Sequence, residues 1–443
     1  MKARIGVGMI GFGTVGTGVA KILAQNAALI RRRVGVPVEL VRVADLDTAR
    51  DRGVALAPGV LTADAKALIE DPAVDIVLEL VGGYEPAKRF LLEAMARGKS
   101  VVTANKALLA VHGEELFEAA ARHRVDLRFE ASVGGGIPVI RALTEGLAAN
   151  AMLSMYGIIN GTANYILSRM TRDGHSFQDV LADAQRAGYA EADPTFDVAG
   201  IDSAHKLAIM VTLAYGTPVN VKDIYTEGIT RLTPLDIEYA KAFGYTIKLL
   251  GIAKFCAGPS EPVGDVEARV HPTMIPSGSP VAQVDGVYNA IQLVGDAVGD
   301  IVLYGQGAGS MPTGSAVVGD VIETARNLLS GAKARVPPAS FPNEQRRPLR
   351  IRPMEEITSL YYLRFMVLDR PGVLSQISGV LGRHSISISS VIQKGREEGQ
   401  TVPVVIMTHV ASERDVQAAL RDIDRMPFIA EPTTLVRVEG HDA

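Results

Sequence analysis

The feature that most constrains the fold is a glycine-rich turn, GFGTVG at residues 11–16, between an apolar stretch and a helical pattern. The stretch IGVGMI at 5–10 predicts a short buried strand, and the pattern after the turn predicts a helix to about Leu29. In this strand–turn–helix context the spacing GxGxxG is typical of dinucleotide binding: the first glycine makes the tight turn, the second admits a pyrophosphate and the third lets helix and strand pack closely. The candidate cofactor-binding residues are Gly11, Phe12, Gly13, Thr14, Val15 and Gly16.

Strand and helix patterns alternate beyond the turn, at 38–47, 75–81 and 100–106 for the strands, which predicts βαβ units and a parallel sheet. Asp45 ends the second strand. An acidic side chain there accepts a hydrogen bond from the ribose 2′-hydroxyl of NAD and repels the 2′-phosphate of NADP; alternatively, Asp45 only caps a turn. Lys106 ends a later strand, at the sheet edge where ligands bind, or it lies in a solvated turn.

Composition narrows the possible functions. The chain has 443 residues, which at ~150 residues per domain suggests about three domains. The net charge of −4 gives no basic surface for nucleic acid, and one cysteine excludes an internal disulfide framework or a cysteine-rich zinc site. No apolar stretch reaches the ~18–20 residues of a membrane helix. We therefore expect no nucleic-acid or membrane partner and a cytoplasmic location.

The rhythm changes after about residue 138, which indicates a second domain of mixed strands and helices. A stretch rich in proline and arginine at 336–353 predicts an extended, solvated linker. Beyond it, 360–440 reads as strand, helix, strand, strand, helix, strand, which is the ferredoxin-like βαββαβ pattern.

A cluster of charged residues at 189–206 predicts a substrate site. Asp202 and Lys206 are four residues apart and so share one helix face. One interpretation is a helix N-cap with a surface ion pair. The other is a lysine general acid held beside a carboxylate.

The same residues belong to a longer pattern. The stretch AxxxGYAEADPxxDVxGIDxxxK at 184–206 resembles the signature of homoserine dehydrogenases. The blocks GFGTVGTGV, TANKALLA, EASVGGGIPVI, NGTANYIL and GQGAGSMPTGSAVVGD resemble that family's other blocks in the same order, over about 1–330. The stretch LDRPGVLSQISGVLGRHSISI at 368–388 resembles an ACT domain, a small amino-acid-sensing module. Together they are similar to bacterial homoserine dehydrogenases with a C-terminal regulatory domain.

The resemblance implies reversible, NAD(P)-dependent reduction of L-aspartate 4-semialdehyde to L-homoserine, on the route to threonine and methionine. By the resemblance, Lys206 is the proton donor to the aldehyde oxygen, Asp202 contacts the substrate and Glu191 faces its ammonium group. Lys106 matches a residue at the nicotinamide–substrate junction, with a cofactor-binding and a catalytic role. Thr162 lies near the substrate carboxylate, unless it only serves as a helix N-cap.

Further site residues are implied only by the resemblance. Gly309 matches a backbone contact to the dinucleotide; by itself it reads as a loop glycine. In the tail, Asp369, Gly372 and Val373 match an effector turn, with threonine as the effector, and the alternative is a plain turn. A monovalent cation, sodium or potassium, matches four positions; without the family, the first of them is an ordinary strand-end charge. These positions are Glu130, Val133, Gly135 and Ile137.

The cofactor is NAD or NADP. Family members that use NADP tend to carry an arginine just before the acidic residue, whereas this chain has Ala44, which favours NAD. We expect a homodimer or homotetramer. Two other functions stay open: a dehydrogenase for a related amino or hydroxy acid, and an amino-acid-sensing protein with an inactive dehydrogenase half. The predicted domains are a Rossmann-like domain at 1–135 completed by 305–331, an α+β catalytic and dimerisation domain at 136–304, a linker at 336–355 and an ACT domain at 358–443.

Overall fold

The structure, a computed structural model, describes residues 2–256, 264–393 and 400–440, so parts of the predicted third domain lie outside the described residues. The strands are β1 (Ile5–Ile10), β2 (Val38–Ala44), β3 (Leu61–Thr62), β4 (Ile76–Glu79), β5 (Ser100–Thr103), β6 (Leu127–Arg128), β7 (Met152–Ile158), β8 (Tyr225–Thr226), β9 (Tyr245–Cys256), β10 (Asp265–Pro276), β11 (Tyr288–Gly295), β12 (Gly299–Gln306), β13 (Thr358–Leu368), β14 (Ile388–Gln393), β15 (Thr401–Thr408), β16 (Ala411–Ser412) and β17 (Ile429–Val438). The helices are α1 (Thr14–Gln25), α2 (Ala27–Val34), α3 (Ala65–Glu70), α4 (Ala87–Ala96), α5 (Lys106–His123), α6 (Val139–Arg141), α7 (Gly161–Asp173), α8 (Phe177–Arg186), α9 (Thr195–Val198), α10 (Ile201–Tyr215), α11 (Pro234–Ala242), α12 (Ser310–Ser330), α13 (Val373–Arg383) and α14 (Glu413–Ile423).

The chain forms two compact units, each built from three separate segments. The first unit comprises Met1–Met155, His205–Lys222 and Tyr288–Leu349. The second unit comprises Tyr156–Ala204, Asp223–Val287 and Arg350–Ala443.

The first unit contains a six-stranded sheet in the order β3-β2-β1-β4-β5-β6, and every neighbouring pair is parallel. Each residue of β1 is buried because helices cover both faces, so an unbroken apolar run is what such a strand requires. The predicted Rossmann-like sheet is confirmed. The β11–β12 hairpin of the same unit is antiparallel.

Two helices of this unit differ from the predicted ones. The helix after the glycine turn ends at Gln25, and α2 follows, because Asn26 has φ −102° and ψ 14° and breaks the regular geometry. Helix α12 begins at Ser310, five residues before the apolar periodicity of its sequence at 315. Pro312 falls in its first turn, where a missing N–H costs no intrahelical hydrogen bond.

The segment predicted as a solvated linker packs against the first unit over its first half. Ala339 is buried, and the ring of Phe341 lies against Gly216, where an added Cβ would be 2.8 Å from it. The guanidinium of Arg346 donates to both carboxylate oxygens of Glu114, at 2.8 and 2.6 Å. The prolines give this stretch the composition of a linker, but its apolar residues are packed against other residues of the first unit.

The second unit contains a mixed sheet. The long strands β9 and β10 are antiparallel, β10 and β17 are parallel, and β13 pairs antiparallel with both β17 and β15, which in turn pairs with β14. The predicted βαββαβ order is confirmed, with the short β16 added. Its own core includes Phe365, Ile377, Ile406 and Leu420.

Buried ion pairs accompany the β10–β17 pairing. Arg437 on β17 is 1% exposed, and its Nε donates to Glu413 at 3.0 Å. Its Nη1 donates to Glu227 at 2.8 Å, and the guanidinium lies 5.1 Å from the ring centre of Tyr225. Within the residues described, no helix is long and apolar enough to cross a membrane.

Candidate functional site

The glycine turn has the geometry that pyrophosphate binding needs. Gly11 has φ +97°, and an added Cβ would lie 2.7 Å from the Leu80 carbonyl. A Cβ at Gly16 would lie 2.4 Å from the Gly11 carbonyl oxygen, so helix and turn are in close contact. At Gly13, by contrast, no described atom beyond Gly13 and its two chain neighbours lies within 4 Å of the Cβ position. The turn is therefore tight where chain meets chain and open where a ligand would approach the N-terminus of α1.

A cleft of about 780 Å³ opens beside this turn, at the carboxyl ends of β1, β2 and β4. Its lining includes Gly13 and Asp45, two of the predicted cofactor-binding residues. It also includes Leu46, which is 93% exposed, and the ring of Phe90. Apolar side chains at this position offer a surface for a flat base.

Asp45 is held by several groups. Its Oδ2 accepts the Phe12 N–H at 2.6 Å, and its Oδ1 accepts the Asp47 N–H at 2.9 Å and Arg52 Nη2 at 3.1 Å. Arg52 also donates from Nε to the Phe12 carbonyl at 2.6 Å, and its guanidinium lies over the Phe12 ring. Asp45 therefore does cap a turn, at the mouth of the cleft, and it carries a cation beside it.

The ends of β4 and β5 carry a buried polar network. Glu79 is fully buried, and its carboxylate accepts the Thr103 hydroxyl at 2.6 Å and the N–H groups of Val81 and Gly82 at 2.9 and 3.1 Å. Asn105 donates from Nδ2 to the Gly83 carbonyl at 2.6 Å. The network stiffens two neighbouring loops at the carboxyl edge of the sheet.

Lys106 follows this network directly. It is the first residue of α5 rather than the end of a strand, because β5 stops at Thr103 and the Asn105 side chain accepts the Leu108 N–H at 3.1 Å. Lys106 is half-buried. A capped helix start thus sets the position of this lysine at the edge where ligands of such sheets bind.

In the second unit, Asn160 brings two carboxylates together. Its Nδ2 donates to Asp197 Oδ1 at 2.7 Å and to Asp202 Oδ2 at 2.8 Å. Its Oδ1 accepts the Ala163 N–H at 2.8 Å and so caps α7. The N-cap of α7 is therefore Asn160, and the alternative that Thr162 caps this helix is wrong.

Thr162, in the first turn of α7, contacts the 189–192 segment, which contains Glu191. The Thr162 hydroxyl donates to the Tyr189 carbonyl at 2.8 Å, and the ring of Tyr189 lies 4.9 Å from that of Tyr165. The side-chain amide of Gln185 donates from Nε2 to the backbone carbonyl of Glu191 at 3.0 Å. The Glu191 side chain is exposed, so its carboxylate is open to a ligand.

Helix α10 carries Asp202 and Lys206 one turn apart. The helix begins at Ile201, so Asp202 lies in its first turn rather than at its cap. Both side chains are buried, at 3% and 9% exposure. The alternative of a capping aspartate with a surface ion pair is therefore wrong, since neither group is at the surface.

Glu130 and Gly135, two of the predicted cation-loop residues, fix the path of the loop through backbone contacts. Glu130 Oε1 and Oε2 accept the N–H groups of Ile140 and Arg141 at 2.8 and 2.9 Å. Burial, with Asp320 nearby, raises the pKa of Glu130 to about 7. Gly135 has φ +57°, and an added Cβ would lie 2.4 Å from the Gly307 carbonyl oxygen.

Both oxygens of the Glu130 side chain are thus hydrogen-bonded to backbone N–H groups of α6. Val133 and Ile137 are buried apolar residues, so only backbone carbonyls of these four positions suit a cation. Across the described residues, no group of three or more histidine, cysteine, aspartate or glutamate side chains could hold a metal ion.

Gly309 lies where the chain returns to α1. It has φ +115° and precedes α12, and the hydroxyl of its neighbour Ser310 donates to the Thr14 carbonyl at 2.7 Å. The late segment therefore meets the helix that starts at the glycine turn.

The C-terminal turn borders a cavity of about 390 Å³. The lining includes Asp369, Gly372 and Val373, together with Gln393 and Val404 from neighbouring strands. Gly372 has φ +87° and precedes α13. The three predicted effector residues are thus together at one cavity within the βαββαβ fold.

Three residues with evident structural roles here escaped sequence reasoning: Glu79, Asn105 and Asn160. A signal for Glu79 existed, because it is the one charged side chain inside the apolar strand pattern IVLELV after Asp75. Asn105 and Asn160 each stand just before a helix, which is an N-cap signature, but nothing local indicates their second partners.

A cleft at the carboxyl edge of a parallel sheet, beside a glycine turn, is where NAD(P)-dependent oxidoreductases bind their dinucleotide. Family models agree: "Homoserine dehydrogenase, NAD binding domain" matches residues 11–130, "Homoserine dehydrogenase" matches 138–322 and "ACT domain" matches 361–428. The chain belongs to the homoserine dehydrogenase family.

Curated relatives and a solved structure extend over nearly the whole chain. A homoserine dehydrogenase of Neisseria gonorrhoeae is 45% identical over 439 residues, covering 99% of each chain. One of Pseudomonas aeruginosa is 45% identical, covering 98% of each. The crystal structure of a homoserine dehydrogenase from Thiobacillus denitrificans has a TM-score of 0.92 at 46% identity and covers 98% of both chains.

Proposed function

We propose that the chain reduces L-aspartate 4-semialdehyde reversibly to L-homoserine in threonine and methionine biosynthesis, with Lys206 as the proton donor. Bound NAD(P)H supplies the hydride to the aldehyde carbon. The proton then goes from the Lys206 ammonium to the aldehyde oxygen, which becomes the hydroxyl of homoserine. The observation that carries this assignment is the burial of Lys206 one helical turn from a buried carboxylate, away from bulk water.

The other residues take supporting roles. Asp202 contacts the substrate, and the exposed carboxylate of Glu191 faces the substrate ammonium group. The first N–H groups of α7, near Thr162, suit the substrate carboxylate, since a helix N-terminus favours an anion. Lys106 contacts the nicotinamide end of the cofactor and assists proton transfer. The capped start of α5 supports that position.

The dinucleotide occupies the cleft beside the glycine turn, with Gly309 as a late backbone contact. Asp45 supports NAD, because a carboxylate suits the 2′-hydroxyl. Arg52 pairs with that carboxylate at 3.1 Å, which weakens its repulsion of a 2′-phosphate and supports use of NADP as well.

Regulation and assembly complete the proposal. Threonine binds at the cavity near Asp369, Gly372 and Val373 and inhibits the enzyme. A sodium or potassium ion binds to backbone carbonyls in the loop of Glu130, Val133, Gly135 and Ile137. The enzyme is a cytoplasmic homodimer or homotetramer. Its domains are a dinucleotide-binding domain at 1–135 completed by 305–331, a catalytic and dimerisation domain at 136–304 and an ACT domain at 358–443.

The test is a steady-state assay of homoserine oxidation by the purified full chain, with NAD⁺ and NADP⁺ in turn, with and without threonine. We expect turnover with homoserine above that with other hydroxy and amino acids. Lys206→Ala should lose about 10²–10⁴-fold in kcat, the range for a lost general acid–base group, and should still bind the cofactor. Unchanged kcat in Lys206→Ala would contradict the assigned role, and a wild-type chain without turnover that still binds threonine would indicate a sensing protein.

A further inference from the structure

Asn160 occupies an unusual place in the second unit. It follows β7, precedes α7 and is 5% exposed. Its side-chain oxygen is used by the Ala163 N–H, which caps the helix. One half of the amide therefore has a structural task that is common at helix starts.

The other half of the amide has a different task. The two hydrogens of Nδ2 point at two carboxylates, Asp197 Oδ1 at 2.7 Å and Asp202 Oδ2 at 2.8 Å. The amide cannot rotate by half a turn, because its oxygen would then face both carboxylates and the Ala163 N–H would face a donor. Three hydrogen bonds thus fix the orientation of the amide.

The two aspartates come from different elements. Asp197 lies in the short α9 and is half-buried, whereas Asp202 lies in the first turn of α10 and is buried. Two carboxylates that share one nitrogen repel each other, and the repulsion is stronger where water is excluded. A shared donor offsets this repulsion and holds each oxygen at hydrogen-bond distance from one atom.

We propose that Asn160 is a positioning residue, which holds the carboxylate of Asp202, together with that of Asp197, in the orientation that receives the amino-acid substrate. The inference rests on the proposed substrate contact of Asp202. It goes further because Asn160 acts through the carboxylates while its other atom builds the helix that follows. Without the Nδ2 donor, each carboxylate loses a hydrogen bond that fixes the direction of one of its oxygens.

Asn160→Ser separates the two tasks of the side chain. Serine is as good an N-cap as asparagine, so α7 keeps its cap, but the hydroxyl is too short to reach both carboxylates. We expect kcat/KM for homoserine to fall by about 10- to 100-fold, the range for a lost hydrogen bond to a charged group. The KM for the cofactor should change by less than about twofold, and the thermal midpoint should stay near that of the wild type.

A double-mutant cycle gives a readout that a merely structural role would not produce. If Asn160 acts through Asp202, then Asn160→Ser adds less than about twofold to the loss already caused by Asp202→Asn. The proposal would be overturned if the double variant lost kcat/KM by the product of the two single losses. Wild-type kinetics in Asn160→Ser would also overturn it. Asn150→Ser is the matched control, because Asn150 Oδ1 accepts the Val298 N–H in a turn outside the site, and its kinetics should stay those of the wild type.

The same set of proteins separates this failure from failure of the proposed function. A wild-type chain that does not oxidise homoserine contradicts the function itself. Wild-type kinetics in Asp202→Asn contradict the substrate contact on which the inference rests. If Asn160→Ser has a lowered thermal midpoint, Asn160→Asp is the second variant: it keeps a cap acceptor but adds a third carboxylate, so it should lose more kcat/KM than Asn160→Ser.

Discussion

Buried carboxylates in this protein differ in how completely they are hydrogen-bonded. Both carboxylate oxygens of Glu79 are hydrogen-bonded, by the Thr103 hydroxyl and by two backbone N–H groups. Only one oxygen of Asp126 is hydrogen-bonded, because its Oδ2 is buried and has no hydrogen-bond partner among the described residues. A buried carboxylate that lacks hydrogen bonds lowers the free energy of unfolding whenever it is ionised.

Asp126→Asn should therefore stabilise the protein at neutral pH. Burial raises the pKa of the Asp126 carboxyl above its ordinary value, so wild-type stability falls as pH rises from that ordinary value through the raised one. Asn327 and the Ala334 N–H already serve Oδ1 at 3.2 Å, and an asparagine oxygen can keep that role. We expect a thermal midpoint about 1–3 °C above the wild type at pH 8 and a smaller gain at pH 4.5.

Differential scanning calorimetry at the two pH values checks this expectation. Asp51→Asn, at an exposed aspartate, is the control and should shift the midpoint equally little at both. A gain for Asp126→Asn that is larger at low pH would contradict the sign of the argument.

At the scale of elements, the cofactor domain depends on a close crossing between α1 and α12. An added Cβ at Gly18 would lie 2.0 Å from the Ser310 carbonyl oxygen, and one at Gly314 would lie 2.9 Å from the Gly18 carbonyl carbon. The two helices approach through glycines facing each other. Because α12 starts just after Gly309, this crossing also sets where the late segment meets the N-terminus of α1.

Gly314→Ala should force α12 away from α1 and lower both the thermal midpoint and the affinity for the cofactor. Gly319→Ala, in the same helix, is the matched control, because among the described residues no atom of another element lies within 4 Å of its Cβ position. Alanine there should be neutral or stabilise the helix by up to ~1 kcal/mol. The midpoint by calorimetry and the dissociation constant for NAD⁺ by titration are the measurements, and similar results for both variants would contradict the packing argument.

At the scale of the whole molecule, the regulatory module is joined to the rest of its unit by backbone pairing and buried charge rather than by a tether. β17 pairs with β10, and Arg437 on β17 contacts both Glu413 and Glu227. Buried charges of this kind cost much more when one partner is removed than they contribute when intact.

Arg437→Met should leave Glu413 and Glu227 without their cation and destabilise the second unit by about 3–5 kcal/mol. Arg350→Met is the control: Arg350 is half-exposed in its pairs with Asp265 and Glu356, where loss of a surface pair costs about 0–1 kcal/mol. Chemical denaturation followed by circular dichroism measures both. Equal, small shifts in the two midpoints would show that the buried network contributes no more than surface pairs.

Local patterns predicted much of this molecule. The glycine turn, the place of Asp45 directly after β2 and the Asp202–Lys206 spacing depend on residues close in sequence. The tasks of Asn160 could not be predicted this way, because its carboxylate partners are 37 and 42 residues away. The same holds for the pairing of β17 with β10, since a strand's apolar pattern indicates that it is buried but not which neighbour it chooses.

The position of β17 has a consequence for synthesis of the chain. It follows every other strand described, yet it lies between β10 and β13 in the sheet. Until the ribosome has made β17, the edge of β13 that β17 covers has unsatisfied backbone groups, the kind of edge that favours aggregation. The parallel sheet of the first unit does not have to wait for β17, so folding should proceed in two stages. Chains interrupted before the last strand would then keep the β13 edge open, so their second unit would stay incomplete while the parallel sheet of the first had formed.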